Sequence, residues 1–500
     1  MSRTPLYLDY AATTPVDPRV AEAMSGCLTL AGDFGNPSST HVFGMAAAAR
    51  IATAREQVAA LVGAGAEEIV FTSGATESNN LAVLGCARAN ADRGRHVVSV
   101  RTEHKSVLDA CRALEKEGFS VSWLTPARSG RIDPAALAEA LRPDTILASV
   151  MHTNNETGVL EDVATLGALC RERGVAFHSD CAQALGKVPL ELRALPVDFA
   201  SFTAHKLYGP KGIGALYVRR GARALLQPLL HGGGQERGLR PGTVATHQVV
   251  GFGAACEIAA RELPGESARL LALRERLWSG LHSLGGTHLN GAASPRVPGI
   301  LNVSFEGVQG ESLVAGLAGL AVSTGSACSS GSPDPSYVLR ALGRDVQLAQ
   351  SSLRFSLGRF TVDADINFAL SAIAHQVARL RALSPAAAAP QRPQEWLRGA
   401  QAGETTVSGE AGGPEQEAWV RFELLVVGGT VKDARFQAYA CPHTMDVAAW
   451  LCGELRGRRR EALIPGSPAA WAAARGVPVE KLGRLLRVED ALRACLLRWS

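Results

Sequence analysis

The sequence has no long apolar run, and this absence limits the classes to which the chain can belong. No stretch of 18 apolar residues occurs, so no transmembrane helix is expected. The first ten residues, MSRTPLYLDY, lack the apolar core of a secretion signal, and we therefore expect a cytoplasmic protein. A net charge of +4 over 500 residues gives no reason to expect nucleic acid or a membrane surface as a partner.

Paired cysteines and internal repeats are also missing. The ten cysteines are scattered without any CxxC pair, which predicts reduced and mostly buried thiols. The composition, 46% hydrophobic and 20% charged, is that of a globular protein. Because 500 residues exceed one ordinary hydrophobic core, two or three domains are expected.

Short apolar runs alternate with helical patterns between residues 67 and 217. This alternation predicts an α/β fold with a mostly parallel sheet covered by helices on both faces. Ligands of such sheets bind at the carboxyl ends of the strands. The residues predicted at those ends are Gly74, Ala75, Thr76, His104, Asn155, Asp180, Gln183 and Lys206. Each alone is typical of ordinary structure, but their common placement predicts one site.

The stretch 200–217, ASFTAHKLYGPKGIGALY, presents Lys206 beside a hydroxyl and an imidazole at the end of a strand. An amine placed there is suited to form a Schiff base with pyridoxal phosphate (PLP). Asp180 would keep the pyridine nitrogen protonated, and Gln183 would hydrogen-bond the ring hydroxyl. His104 would stack on the ring and move protons.

The phosphate of the cofactor also has candidate partners. The backbone N–H groups near Ala75 and Thr76 lie where a helix is predicted to begin, and such groups bind anions. The side chains of Thr76, Thr203 and His205 would complete the phosphate site. Together with Lys206, these residues predict a complete set of PLP contacts.

Motifs over roughly residues 5–383 resemble the NifS/IscS group of cysteine desulfurases, in the class V aminotransferase family. The resemblance rests on YLDYAATTPVDPRV, EEIVFTSGATESNNLA, TEHKSVLD, MHTNNETGV, HSDCAQALGK, TAHKLYGPKGIGALYVRR, HGGGQERGLRPGT, STGSACSS and SSLRFSLGRF. It implies a PLP enzyme of fold type I that acts as a homodimer. Its implied reaction converts L-cysteine to L-alanine and an enzyme-bound persulfide.

The resemblance also implies a role for individual residues. Lys206 would hold PLP, while Asn155 and Arg354 would receive the substrate carboxylate. Cys328, in a Ser/Gly-rich stretch, would attack the substrate sulfur as a thiolate, the reactive form of cysteine. Thr243 would reach the phosphate of the partner subunit's cofactor. No lasting metal site is expected, although Cys328 is a candidate transient iron–sulfur ligand.

The C-terminal segment resembles, over about 80 residues, the NifU/IscU iron–sulfur scaffold domain. The resemblance rests on DARFQAYAC (433–441) and VEDALRACL (488–496). Only Cys441 matches one of the three cluster cysteines of that family, and the third position falls near Arg484. Because two thiolates are missing, we expect a degenerate domain that docks on its own desulfurase or regulates access to Cys328. Cys441 is a candidate sulfur acceptor.

A domain plan follows from the composition and from both resemblances. Residues 384–416 are rich in Pro, Ala, Gly and Glu, which predicts a linker. The predicted domains are a desulfurase, 1–383, with a large part (16–263) and a small α+β part (1–15 with 264–383), and a C-terminal α+β domain, 417–500.

Three functions remain open from the sequence. The leading one is a cysteine desulfurase that supplies sulfur to iron–sulfur scaffolds or to other acceptor proteins. A selenocysteine lyase shares the fold, but the long cysteine-bearing loop, 323–337, argues against it. A scaffold or interaction protein, led by the C-terminal domain, is the alternative from another class.

Overall fold

The computed structural model describes residues 4–317, 319–324, 335–383, 403–413, 418–477 and 481–499. Cys328, the predicted nucleophile, lies outside the described residues. The chain forms two compact units, Met1–Ser304 with Gly319–Leu370, and Phe305–Ala318 with Ser371–Ser500. Among the described residues, no helix is both long and apolar enough to span a bilayer.

The described strands are β1 (Leu6–Tyr7), β2 (Ile69–Thr72), β3 (His96–Val100), β4 (Ser120–Leu124), β5 (Thr145–Ser149), β6 (Ala176–Asp180), β7 (Phe199–Thr203), β8 (Gly214–Val218), β9 (Thr287–Leu289), β10 (Ile300–Phe305), β11 (Leu320–Ala321), β12 (Ser323–Thr324), β13 (Ser352–Ser356), β14 (Glu404–Gly413), β15 (Ala418–Val427) and β16 (Thr430–Tyr439).

The described α-helices are α1 (Pro18–Ser25), α2 (Val42–Leu61), α3 (Ala75–Ala89), α4 (Lys105–Lys116), α5 (Pro134–Ala140), α6 (Val163–Glu172), α7 (Thr246–His282), α8 (Gly310–Gly316), α9 (Tyr337–Ala341), α10 (Val346–Gln350), α11 (Asp363–Leu383), α12 (Pro442–Leu455), α13 (Pro468–Arg475) and α14 (Leu482–Arg498).

The central element is a seven-stranded sheet in the order β2-β8-β7-β6-β5-β3-β4. Only β8 runs antiparallel to its neighbours, so the predicted mostly parallel sheet is confirmed. Alternate residues of its strands enter two apolar cores. Val98 and Phe202 pack into one core, and Val97 and Phe199 pack into the other. Helices therefore cover both faces, which explains the nearly continuous apolar strands.

The direction of the strands brings the predicted site to one edge. β2 and β7 both pair antiparallel with β8, so β2 runs in the same direction as β3, β5, β6 and β7. The carboxyl ends of these five strands consequently meet at one edge of the sheet. The loops that follow them carry the polar residues singled out in the sequence.

A second sheet, in the order β12-β13-β10-β9, supplies Arg354 from the middle of β13. The register pairs Arg354 with Ser323 on one side and with Asn302 on the other. A bridge between Asp9 and Ser356 attaches the N-terminal segment beside β13. Residues from three distant parts of the chain therefore converge near Arg354.

Helix α7 crosses the predicted boundary between the large and small desulfurase parts at 263/264. It continues for 37 residues with Pro264 in its interior. A proline inside a helix removes one backbone N–H and crowds the preceding turn, but tertiary packing can hold the helix together. Buried residues on both sides of Pro264, including Ile258 and Leu270, provide that packing.

The C-terminal region contains an antiparallel sheet in the order β14-β15-β16 with its own core. Strands β15 and β16 form a hairpin, with Gly428 and Gly429 at its turn. The predicted linker, 384–416, is wrong over 404–413, because these residues form β14. The glycines of ETTVSGEAGG are typical of a linker, which is why the composition predicted one here. At Gly409, however, an added Cβ would overlap Cys495 N and Ala491 O of α14, so packing requires glycine.

Candidate active site

A cavity of about 580 Å³ opens at the carboxyl edge of the seven-stranded sheet. Ten predicted site residues line it: Ala75, Thr76, His104, Asn155, Asp180, Gln183, Thr203, His205, Lys206 and Arg354. The structure thus brings together residues separated by up to 279 positions in the sequence. Their individual roles at this cavity remain predictions.

Lys206 ends a short 3₁₀ turn, Ala204–Lys206, that directly follows β7. The preceding His205 lies against the N-terminal segment, with its Nδ1 3.1 Å from the hydroxyl of Thr13. Burial, together with Lys206 and two other lysines, lowers the pKa of His205 to about 4. The imidazole is therefore neutral at neutral pH.

Asp180 ends β6 and is 4% exposed. Its Oδ2 accepts a hydrogen bond of 2.7 Å from the side-chain amide of Asn79, and its Oδ1 accepts one of 2.9 Å from the backbone of Ala182. These two donors fix the orientation of the carboxylate at the base of the cavity. An oriented carboxylate is the group that a pyridinium nitrogen requires.

The amide of Asn79 also connects Asp180 to His104. The same nitrogen donates to the hydroxyl of Ser106 at 2.8 Å, and this hydroxyl lies 2.8 Å from Nδ1 of His104. The backbone N–H of Ser106 also donates to Nδ1, at 3.2 Å. Nδ1 is therefore an acceptor, so neutral His104 carries its proton on Nε2. Burial lowers the pKa of His104, which favours this neutral form.

Asn79 and Ser106 are functional residues that the sequence reasoning missed. Asn79 is buried on α3 beneath the predicted anion site, and Ser106 is in the first turn of α4. The motifs ESNN and EHKS do contain these residues next to predicted ones. Nothing in the spacing indicated that an asparagine from one helix would reach a serine on another.

The first turn of α3 lies where an anion site is predicted. Its N-cap is Gly74, whose φ of 152° lies at the edge of the region that favours glycine, and no side chain caps the helix. The Thr203 hydroxyl is 3.8 Å from where a Cβ on Gly74 would lie. The uncapped N–H groups of a 15-residue helix thus lie beside a hydroxyl, an arrangement that binds phosphate.

Arg354 also lines the cavity and is 3% exposed. It donates to the backbone oxygen of Asn155 at 2.8 Å, to Asp9 Oδ1 at 2.9 Å and to Ser323 Oγ at 3.3 Å. Among the described residues, nothing pairs with Arg354 Nε or Asn155 Oδ1, although both atoms are buried. Unsatisfied buried polar atoms are costly, so these two indicate a ligand with complementary polar groups. The sequence reasoning missed Asp9.

Thr243 is exposed and does not line the cavity, so its predicted contact with a partner subunit's cofactor stays a prediction.

Cys328 is outside the described residues. The described chain resumes at residue 335, and two residues after that point are anchored by hydrogen bonds. Ser336 donates to Glu156, and the hydroxyl of Tyr337 donates to the backbone oxygen of Glu103 at 2.7 Å.

The comparisons with known proteins decide the family. The class V aminotransferase family matches residues 6–368. Cysteine desulfurase IscS of Pectobacterium atrosepticum is 55% identical over 384 residues, which cover 77% of this chain and 95% of the relative. IscS of an Enterobacter species is 56% identical over the same coverage. The chain belongs to the cysteine desulfurase family.

Solved structures agree with this assignment. A NifS-like protein is 36% identical with a TM-score of 0.70, covering 75% of this chain and all of that chain. DndA from Streptomyces lividans is 43% identical with a TM-score of 0.61, covering 70% of this chain and 99% of that chain. The predicted PLP fold type I is thereby confirmed. The family match ends at residue 368, so the resemblance of 417–500 to a scaffold domain stays a prediction.

Cysteine desulfurases of class V use PLP, and the cavity fits this cofactor. An amine at Lys206, an oriented carboxylate at Asp180 and an anion site at the start of α3 line the same space. Among the described residues, Arg354 Nε has no partner, so its N–H is left to donate to a substrate carboxylate.

Proposed function

We propose that this chain converts L-cysteine into L-alanine and retains the released sulfur as a persulfide on Cys328. The observation that carries the proposal is the Nε of buried Arg354, which no described residue pairs with, on the same cavity of about 580 Å³ as Lys206. An amino acid has its amine and its carboxylate on one carbon. The cavity offers a lysine whose Schiff base can exchange with the substrate amine, and a guanidinium N–H that no described residue pairs with. Such a cavity is suited to bind both groups.

The residues around the cavity divide the work. PLP, when bound, would withdraw electrons from the substrate's α-carbon. Lys206 would hold the cofactor and carry the α-proton, and the fixed carboxylate of Asp180 would support the ring nitrogen. Arg354 and Asn155 would orient the substrate carboxylate. His104, with its proton on Nε2, would contact the ring and donate or accept a proton.

Sulfur transfer then requires Cys328 as a thiolate. The thiolate attacks the substrate sulfur and forms an S–S bond, while the C–S bond breaks and its electron pair returns to the carbon. Protonation of that carbon gives alanine, and the electrons balance without an external oxidant. Ser336 and Tyr337, anchored to Glu156 and Glu103, fix the chain eight or nine residues after Cys328.

We also propose a homodimer in which Thr243 contacts the partner subunit's cofactor. Thr243 is exposed and follows the turn Gln235–Gly238. Several large apolar side chains are exposed in the N-terminal part of the chain, which supports an interface there. They are Leu28, Leu30, Phe34, Val42, Phe43 and Met45.

For the C-terminal region we propose a degenerate NifU/IscU-like domain that docks on its own desulfurase and has lost cluster binding. Arg484 stands near the position expected for a cluster cysteine. Arg484 and Lys481 lie 3.4 Å and 3.6 Å from Glu311 of α8. Cys441, the candidate sulfur acceptor, is 2% exposed at the start of α12, with Sγ 3.2 Å from Thr444 Oγ1. Accepting sulfur would therefore require this thiol to become accessible.

The enzymatic proposal is tested by alanine formation from L-cysteine. Wild type should form alanine, and Lys206→Ala should form none and retain no borohydride-trappable cofactor. Deletion of 417–500 should leave alanine formation intact. Loss of alanine formation on that deletion would favour a function led by the C-terminal domain.

Sulfur acceptance by Cys441 is tested separately. After one turnover with cysteine under non-reducing conditions, mass spectrometry of the Cys441 peptide should show added sulfur in wild type and none in Cys328→Ala. An unmodified Cys441 in both proteins would leave the domain a docking or regulatory element.

A further inference from the structure

Lys187 is a second lysine beside the cofactor cavity, and no step proposed above uses it. It follows Gln183 by four residues in a tight helical turn after β6. In this turn, Lys187 N donates to Ala184 O at 2.9 Å. Residues four apart in such a turn lie on one face. Accordingly, Lys187 Nζ donates to Gln183 Oε1 at 2.5 Å.

This contact fixes the orientation of the Gln183 amide. A lysine amine in its charged form has only hydrogens to offer, so the atom facing it must be the amide oxygen. The amide nitrogen then donates to Ala11 O at 2.9 Å, which agrees with that assignment. Gln183 is 2% exposed and lines the cavity, so its second N–H is the group left for a ligand. Without Lys187, the amide could rotate and present its oxygen instead.

The charges around Lys187 do not neutralise it. Lys206 and Arg354 disfavour its charged form, and Glu266 of α7 is the acidic group that favours it. Glu266 is already paired with Arg359 at 3.2 Å. Burial, then Lys206 and Arg354, lower the pKa of Lys187 to about 7. A hydrogen bond to the Gln183 oxygen is therefore a principal stabilising contact of this amine.

The backbone of the turn is shaped to place Lys187 there. Gly186 has a φ of 63°, a conformation that favours glycine. An added Cβ on Gly186 would overlap the side chain of Leu207, next to Lys206. The glycine therefore allows the turn with Lys187 to approach the turn with Lys206. Both lysines also line a smaller cavity of about 30 Å³ behind the site.

We propose that Lys187 is a positioning residue that holds the Gln183 amide with its N–H toward the ring oxygen of PLP. In its charged form, Lys187 also adds positive charge on that side of the ring. Both effects favour a negatively charged ring oxygen, and both lower the pH at which the bound cofactor loses its proton. The inference rests on the proposed placement of the ring beside Gln183.

The experiment is a visible absorbance titration of resting holoenzyme without cysteine, in wild type, Lys187→Met, Lys187→Arg and Lys116→Met. Lys116 is exposed on α4, so its variant removes the same charge far from the cavity surface. Lys187→Met should raise the pH midpoint of the colour change by about one unit, a tenfold change in proton affinity. Lys187→Arg should recover at least half of the shift, and Lys116→Met should titrate like wild type.

A Gln183→Ala background separates positioning from a general packing effect. If Lys187 acts through Gln183, Lys187→Met should shift the midpoint less in Gln183→Ala than in wild type. Equal shifts in both backgrounds, or a Lys187→Met midpoint equal to that of wild type, would overturn the inference. If Lys187→Met does not retain PLP, Lys187→Gln takes its place under the same criteria. A wild-type holoenzyme with no visible titration would count against the proposed function itself.

Discussion

At the scale of single residues, the site depends on side chains that never touch the substrate. The amide of Asn79 holds Asp180 and, through Ser106, His104. Asp9 holds Arg354 in a similar way. The predicted residues could be found because each follows a predicted strand or belongs to a motif. The residues that hold them in place could not be predicted, because an asparagine inside a helix belongs to no sequence pattern that indicates its hydrogen-bond partner.

The Asn79 connection predicts a graded loss of activity. Asn79→Ala removes a donor to the Asp180 carboxylate, and a hydrogen bond to a charged group contributes about 1.5–3 kcal/mol. We expect kcat/KM for cysteine to fall roughly 10- to 100-fold. Ser106→Ala removes only the link to His104, so its loss should be smaller. Steady-state alanine formation measures both variants, and a larger loss in Ser106→Ala would contradict the proposed order.

Arg354 predicts a defect in substrate binding. Arg354→Ala removes the guanidinium proposed to bind the substrate carboxylate, and the loss should be about 2–4 kcal/mol of transition-state stabilisation. The effect should appear mainly as a higher KM for cysteine. Arg354→Lys, which keeps the charge but loses the forked geometry, should fall between alanine and wild type. An unchanged kcat/KM in Arg354→Ala would place the carboxylate site elsewhere.

Glu156 predicts a pH dependence of stability. Burial raises its pKa to about 7, although Ser336 and Arg354 oppose the shift. The folded protein therefore binds more protons at this residue than the unfolded chain between pH 4.5 and about 7. Glu156 should consequently destabilise the fold as pH rises through that window, and the effect should stay constant above it.

The test of that pH dependence compares thermal unfolding of wild type with Glu156→Gln at pH 5 and pH 8. The variant should gain stability relative to wild type on going to pH 8, by about 3 kcal/mol at most. Glu56→Gln, an exposed control on α2, should show no such gain. A Glu156→Gln advantage of the same size at both pH values would refute the assignment.

At the scale of elements, apolar continuity predicted the main sheet, but composition wrongly predicted a linker over one strand. Strands β3, β5, β6 and β7 are buried throughout and were recognisable as apolar runs. Strand β14 was not recognisable, because its Gly409 allows close contact with α14 rather than flexibility. This error arises where tertiary packing overrides a local preference.

Two glycines of β14 provide a matched test of that explanation. Gly409→Ala places a Cβ against the backbone of α14, whereas a Cβ at Gly413 meets no atom within 4 Å. Gly409→Ala should destabilise the C-terminal region by about 1–3 kcal/mol, the usual effect of overpacking. Gly413→Ala should stay within about 0.5 kcal/mol of wild type.

Urea unfolding of the full chain, followed by tryptophan fluorescence, measures both glycine variants. Trp471 is 1% exposed in the core of this region and should report its unfolding. Similar midpoints for Gly409→Ala and Gly413→Ala would mean that β14 does not pack closely on α14.

At the scale of the whole molecule, the motifs predicted the enzyme and its fold, and the comparisons confirm both. The arrangement of ten residues around one cavity follows from parallel strands that end at a common edge. The sequence could not show that Lys187 holds Gln183, since neither residue's partner depends on a periodic pattern. The role of the C-terminal domain stays a prediction, because one matching cysteine carries little information.

The central claim is that Cys328 takes sulfur from cysteine in this cavity. Single turnover of the holoenzyme with one equivalent of L-cysteine, followed by alanine quantification and peptide mass mapping, tests it most directly. The account predicts one alanine for each persulfide, with the added sulfur on the Cys328 peptide, and no alanine from Cys328→Ser although it retains PLP. Undiminished alanine formation by Cys328→Ser would contradict it.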